Sequence, residues 1–290
     1  DLAECVKAWC SKSGASFKRE AENIPRKTAS YAHGLYRNLP MPLRGLLWLV
    51  RHLFSRWALC GVGVSAWRKS SARISFVSYL LYLNQNALSK GRYESGYWAS
   101  LPDKLRDAGY DTNWLHIYVK DSLAPSARQA AKLLKEFNRN ANGTQVHVSL
   151  HSFLSAKVVV RTVVGWARVA LLSVKLEPAV AKSESKGLVL WPMLRAEWNN
   201  SMTGPTALSN QLYVNLFYEA LRQLPRQERG VYLQENMDWE YAFLAAWKDA
   251  GHGTSIGSPH STVRYWDLRY FSDPRCYIRS PINSMPMPDK

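Results

Sequence analysis

The chain has 290 residues, 47% apolar and 21% charged, the composition of an ordinary folded protein rather than a disordered or fibrous one. Lys and Arg outnumber Asp and Glu by 38 to 22, a net charge of +16, which favours anionic partners such as phosphorylated ligands, lipid headgroups or nucleic acid without choosing among them. Cys5, Cys10, Cys60 and Cys276 have neither zinc spacing nor the density of a disulfide framework, and no secretory leader opens the sequence, so a reducing cytoplasm is expected.

Residues 1–70 are basic, broken by Pro25, Pro40 and Pro42, with helical periodicity at Leu46, Leu49, Val50 and Leu53. From Arg73 to Leu80 the period changes to two, which predicts a strand. A polar loop around Ser89-Lys90-Gly91-Arg92 follows, then a helix over 98–108 stopped by Gly109, a strand over 113–119, a helix over 126–138 and a run over 145–149 that fits either a third strand or a loop. Strand and helix in alternation imply a parallel sheet. Over 158–176, Arg161, Arg168 and Lys175 recur every seven residues along one stripe of an otherwise apolar helix. That pattern suits either a core helix with a solvated cationic edge or a membrane-surface helix. Neither this stretch nor 43–64 should span a bilayer, because cations interrupt both well inside the roughly 20 apolar residues a span needs.

An exposed connection is expected over 182–187 and irregular structure over 191–206, where Pro192, Gly204 and Pro205 fall. An amphipathic helix is expected over 208–224, ended by Pro225. A second strand–helix–strand unit then occupies 231–235, 238–250 and 253–257. The roughly 60 residues beyond Gly230 are fewer than a complete Rossmann domain needs. The reading is therefore α/β with two Rossmann-like domains, the second incomplete: a basic helical segment at 1–70, a first domain at 71–228 and the start of a donor-binding domain at 229–290.

Ligands of parallel α/β sheets bind beyond the carboxyl ends of the strands. Glu235 sits at such an end, where a carboxylate is costly to bury unpaired and is therefore a candidate acid, base, nucleophile or sugar-hydroxyl acceptor. It could equally be structural, and Asn236, Asp238 and Glu240 beside it suit a helix cap and first turn. At the next strand end, Ser261 and Thr262 can cap a helix whose N-terminus suits a phosphate, with His260 and Arg264 adding charge-assisted hydrogen bonds; the alternative is a histidine and an arginine packed in a turn. His252, between Gly251 and Gly253, reads as a helix stop. His147 and His151 have no third ligand at metal spacing, so no metal is expected. Walker, G-x-G-x-x-G and G-x-S-x-G motifs are all missing.

The run Tyr232-Leu233-Gln234-Glu235-Asn236-Met237-Asp238-Trp239-Glu240, with Gly251-His252-Gly253 and the string from Gly257 to Phe271, resembles a family of bacterial surface-carbohydrate biosynthesis proteins. Lys90-Gly91-Arg92, Gly96-Tyr97-Trp98 and Asn113-Trp114-Leu115-His116 look like the same family's first half. The resemblance implies a glycosyltransferase with two facing Rossmann domains (GT-B-like), acting at the cytoplasmic membrane face on a glycan or lipid-linked acceptor. It implies a nucleotide-sugar donor as substrate and no separate cofactor; the basic surface would hold the chain near anionic lipid, and nucleic acid is not expected as a partner because the aromatics form no recognisable RNA-binding motif. Glu235 and His260 would be catalytic; Ser261, Thr262, Arg264 and Asn236 would bind the donor, and Asn113, Trp114 and His116 would line the opposite wall. A weaker similarity, a strand-end carboxylate followed by a strand-end His, points to transferases that use cytidine-monophosphate-activated nonulosonic acids or Kdo. Those usually carry His before Pro, whereas Pro259 precedes His260 here. The alternative from another class is a non-catalytic scaffold of a membrane-associated polysaccharide-assembly complex.

Overall fold

The computed structural model describes residues 2–16, 35–36, 38–182, 184–185, 188–259 and 286–290. Its elements in chain order are α1 (Leu2–Lys12), α2 (Met41–Arg56), α3 (Val64–Arg68), β1 (Ile74–Leu80), α4 (Gln85–Ser89), α5 (Leu101–Asp107), β2 (Thr112–Tyr118), α6 (Ala127–Asn140) and β3 (Gln145–Ser149). They continue with α7 (Ala156–Ala181), β4 (Glu184–Ser185), β5 (Leu188–Val189), α8 (Trp191–Met202), α9 (Pro205–Arg222), β6 (Arg229–Gln234), α10 (Asp238–Asp249) and β7 (Thr254–Pro259). Short 3₁₀ turns lie at Trp57–Leu59 and Leu150–Phe153. The chain divides into two compact units, one of Asp1–His52 with Val160–Gln211 and the other of Leu53–Val159 with Leu212–Lys290.

The second unit holds a five-stranded sheet of order β3-β2-β1-β6-β7, parallel throughout. Strands are added outward from β1 to β3 and then, on the other side of β1, from β6 to β7. This is a doubly wound, Rossmann-like arrangement with its switch point between β1 and β6. Every residue of β2 is buried, as expected of a strand covered on both faces. Phe76 and Trp114 are register partners whose rings stack with centroids 4.3 Å apart. Around them pack Trp98, Tyr93, Leu134 and Phe137.

The segment expected to open a second Rossmann domain belongs to this same sheet. β6 pairs in parallel with β1 from Ile74↔Arg229 to Val77↔Tyr232, so 229–259 completes the sheet begun at residue 74, and no boundary falls at 228/229. An apolar β1 would otherwise present one bare edge. Gly230 marks how tightly the second half closes: a Cβ there would lie 2.6 Å from Cζ2 of Trp247 on α10. At the same amino-terminal end of the strands, Gln227 accepts from Ser75 Oγ at 2.9 Å and Asn113 Nδ2 at 3.1 Å, and donates to the carbonyl of Ala72 at 3.0 Å.

In the first unit, α1 packs against α8 and β5, and β4 pairs antiparallel with β5. The stretch 191–206, expected to be irregular, is largely helical. Pro192 falls in the first turn of α8, where a missing N–H is harmless, and Pro205 starts α9; only Gly204 and its neighbour break the run. Trp166 of α7 donates its indole N–H to the carbonyl of Thr203 at 3.0 Å. Among the described residues, no helix is long and apolar enough to cross a membrane.

Candidate functional site

The carboxyl ends of β1 and β6 flank the switch point, and the backbone just past each takes an unusual turn. Tyr82, two residues after β1, has φ 53°, and Asn236, two residues after β6, has φ 58°. Non-glycine residues seldom adopt this left-handed region, and such strain concentrates at functional sites. Past β1 the chain doubles back: the Gly96 N–H reaches the Tyr82 carbonyl at 2.8 Å and Asn84 Nδ2 donates to Glu94 Oε1 at 2.9 Å. The fold-back brings Tyr97 beside Tyr82, their ring centroids 5.2 Å apart, with Tyr82 itself 62% exposed.

Past β6, the bend Glu235-Asn236-Met237 is fixed from below by Glu240. Its Oε1 accepts the backbone N–H of Glu235 at 2.7 Å and of Met237 at 2.8 Å, a first-turn carboxylate closing the start of α10. Burial raises the pKa of Glu240 while these donors pull it back. Trp239 of α10 donates its indole N–H to the Tyr79 hydroxyl at 2.7 Å.

Glu235 is partly exposed, and its charge reaches two phenols. Tyr79 is raised well above the ordinary tyrosine range, first by burial, against the Trp239 hydrogen bond, with the carboxylate of Glu235 adding to it. Tyr97 is pushed up to about 12 by burial and then by Glu235. Both phenols therefore keep their protons near neutrality and act as donors. Past the ends of β1 and β6, a partly exposed carboxylate, two phenol hydroxyls and the exposed ring of Tyr82 thus lie near one another. These groups match a ring-shaped, hydroxyl-rich ligand.

Glu235 thus lies where its strand end was expected to place it, and β7 ends level with it, Pro259 being the register partner of Gln234. His260, Ser261, Thr262 and Arg264 lie outside the described residues. Asn236 is at the bend with its Nδ2 buried and no hydrogen-bond partner for it. Asn113, Trp114 and His116 do not line a cleft: all are 0% exposed. Asn113 also takes the Ser70 hydroxyl at 2.7 Å, and Trp114 donates to Thr112 Oγ1 at 2.9 Å. His116 Nε2 lies 3.0 Å from His147 Nδ1 on the neighbouring strand. A central strand can carry such polar side chains internally when each finds a partner. His252 stops α10 as expected, its Nδ1 accepting the Gln227 N–H at 3.2 Å and its Nε2 facing the Leu221 carbonyl at 3.2 Å.

The tyrosines were not singled out from sequence as site residues, although Tyr97 stands in the Gly96-Tyr97-Trp98 run. They come into view once β1, as well as β6, is seen to border the switch point. A separate open groove of about 850 Å³, bordered by Phe54, Trp57, Ser126 and Arg128, lies beside the N-terminus of α6. No family model matches the chain, and neither a curated protein nor a solved structure does.

Proposed function

We propose that the chain is a glycosyltransferase that moves a sugar from a nucleotide-activated donor, of the cytidine-monophosphate-nonulosonic acid or Kdo kind, to a bacterial surface glycan or lipid-linked acceptor. The observation that carries the reading is the partly exposed Glu235 carboxylate just past the carboxyl end of β6, whose charge reaches the phenols of Tyr79 and Tyr97, neighbours with ring centroids 6.3 Å apart. In this reading Tyr82 stacks on the sugar ring, the phenols donate to its oxygens, and Glu235 receives a sugar hydroxyl or the acceptor's proton. The bond from the anomeric carbon to the donor phosphate breaks, a bond to the acceptor oxygen forms, and the nucleotide leaves with its phosphate. His260, Ser261, Thr262 and Arg264 hold that phosphate, consistent with the first-turn acids Asp238 and Glu240 making the start of α10 a poor anion site. The GT-B arrangement belongs to the same proposal, with the sheet described above as one of its two Rossmann halves.

The test is release of free nucleotide from cytidine-, uridine- and guanosine-linked sugars in the presence of membrane-extracted acceptor. Glu235→Gln should reduce turnover about 100-fold and Tyr97→Phe about tenfold, as expected for groups acting in the transition state, with circular dichroism unchanged. Turnover by Glu235→Gln equal to the wild type, or no turnover of any donor, would refute the reading.

A further inference from the structure

Helix α7 runs 26 residues and turns one long face outward. Lys157, Arg161, Arg168 and Lys175 are all exposed on it, the last three one heptad apart and so about 10 Å along the axis. Between and beside them the apolar side chains are open to solvent as well: Val160 is 62% exposed, Val164 45%, Leu171 71%, Leu172 56% and Leu176 53%. The opposite face carries Val158, Thr162 and Ser173, all buried. The one acidic residue of the helix, Glu177, lies off the outward face and is partly buried.

Helix α2 repeats the pattern without any acid. Leu43, Leu47, Val50 and Phe54, spaced i, i+4, i+7 and i+11, are 48%, 51%, 51% and 79% exposed, and the exposed Arg51 runs along one flank. Its inner face holds Gly45, Leu49 and His52. Contiguous exposed apolar surface on a folded chain marks a surface that something covers.

From these two faces we infer that α2 and α7 are the sites by which this protein lies on an anionic bilayer. A protein partner fits less well, because the centres of protein interfaces are depleted in Lys, whereas Lys157 and Lys175 stand within the exposed apolar face of α7. Long cationic side chains can keep their stems in the acyl boundary and their heads among lipid phosphates. With Lys157, Arg168 and Lys175 on it and no carboxylate of its own, the outward face of α7 complements a negative leaflet, each such cation raising partitioning about fivefold. The inference does not depend on the donor site. Nucleotide release measured with a soluble acceptor and no vesicles reports on that site alone, so the two can fail separately.

Flotation with vesicles of phosphatidylcholine, alone and mixed with phosphatidylglycerol, is the test. The wild type should float only with the mixed vesicles and be released by salt. Arg168→Glu/Lys175→Glu should weaken partitioning at least about 25-fold, and Leu171→Ser/Leu172→Ser about tenfold. Leu47→Ser/Phe54→Ser should weaken it similarly. Because these side chains are exposed, all variants should melt with the wild type. Equal flotation with neutral vesicles, no flotation with either, or a concentration-dependent dimer that Leu171→Ser/Leu172→Ser dissolves would each overturn the inference.

Discussion

Acidification should destabilise the fold through the histidine pair inside the sheet. Gln145 donates its Nε2 to the Pro102 carbonyl at 3.3 Å, so its Oε1 faces His147 Nε2 at 3.3 Å, and that nitrogen carries the proton. His147 Nδ1 is then bare and accepts from His116 Nε2 at 3.0 Å, which leaves His116 Nδ1 as a buried acceptor with no donor against it. Both rings are neutral, and burial among Tyr93, Trp114 and Phe137 opposes charging either. His116 is lowered to about 3 and His147 well below its usual value, in each case chiefly by burial.

In the unfolded chain a histidine titrates near 6.5. The folded state binds fewer protons below that pH, so stability is fully present above about 6.5 and falls as pH drops toward the folded value. At pH 5 His116 alone should cost about 2 kcal/mol, from roughly 1.5 pH units at 1.36 kcal/mol each, and His147 acts in the same direction. Urea unfolding followed by tryptophan fluorescence between pH 7.5 and 5 gives the slope. His116→Leu should be less stable at neutral pH, where His147 loses its partner, yet lose about 1.4 kcal/mol per pH unit less on acidification. Identical pH slopes for the two proteins would refute the assignment and return His116 to a solvated position.

Gly230→Ala should destabilise by about 1–3 kcal/mol, because the new methyl meets the Trp247 indole, which a 2.7 Å bond to the Gly253 carbonyl holds in place; a melting temperature within a degree of wild type would contradict the close packing of α10 on β6. Glu240→Ala should cost about 1–2 kcal/mol by freeing two backbone N–H groups, with Glu240→Gln recovering part of it, and hydrogen exchange at Glu235 and Met237 should speed up in the Ala variant alone. Asn236→Gly should leave stability unchanged while Asn236→Val lowers it by about 1–2 kcal/mol, as φ 58° requires, read by thermal melting.

Local pattern was legible and partnership was not. The period-two run at 73–80, the apolar 113–119 and the short 145–149 stretch are β1, β2 and β3 to within a residue or so, because side-chain alternation is fixed by the strand itself. The unit at 229–259 was also recognisable as strand, helix and strand. Its register with β1, Ile74 opposite Arg229, is a pairing across the length of the domain, and no local period encodes it. Attaching that unit to a separate domain hid the switch point and with it Tyr79, Tyr82 and Tyr97. Glu235 was legible as a strand-end carboxylate because the strand pattern stops beside it. Asn113 and His116 were misplaced because the sequence shows polarity but not partners: Gln227, Ser70 and His147 come from other segments.

If the proposed function holds, the sugar of an activated donor binds past the carboxyl ends of β1 and β6, beside Tyr82 and Glu235. Crystals soaked with a cytidine-monophosphate-linked sugar test it most directly. Sugar density stacked on Tyr82 with a hydroxyl within hydrogen-bond reach of Glu235 is expected; density only in the groove of Phe54 and Trp57, with none beside Tyr82, would contradict it.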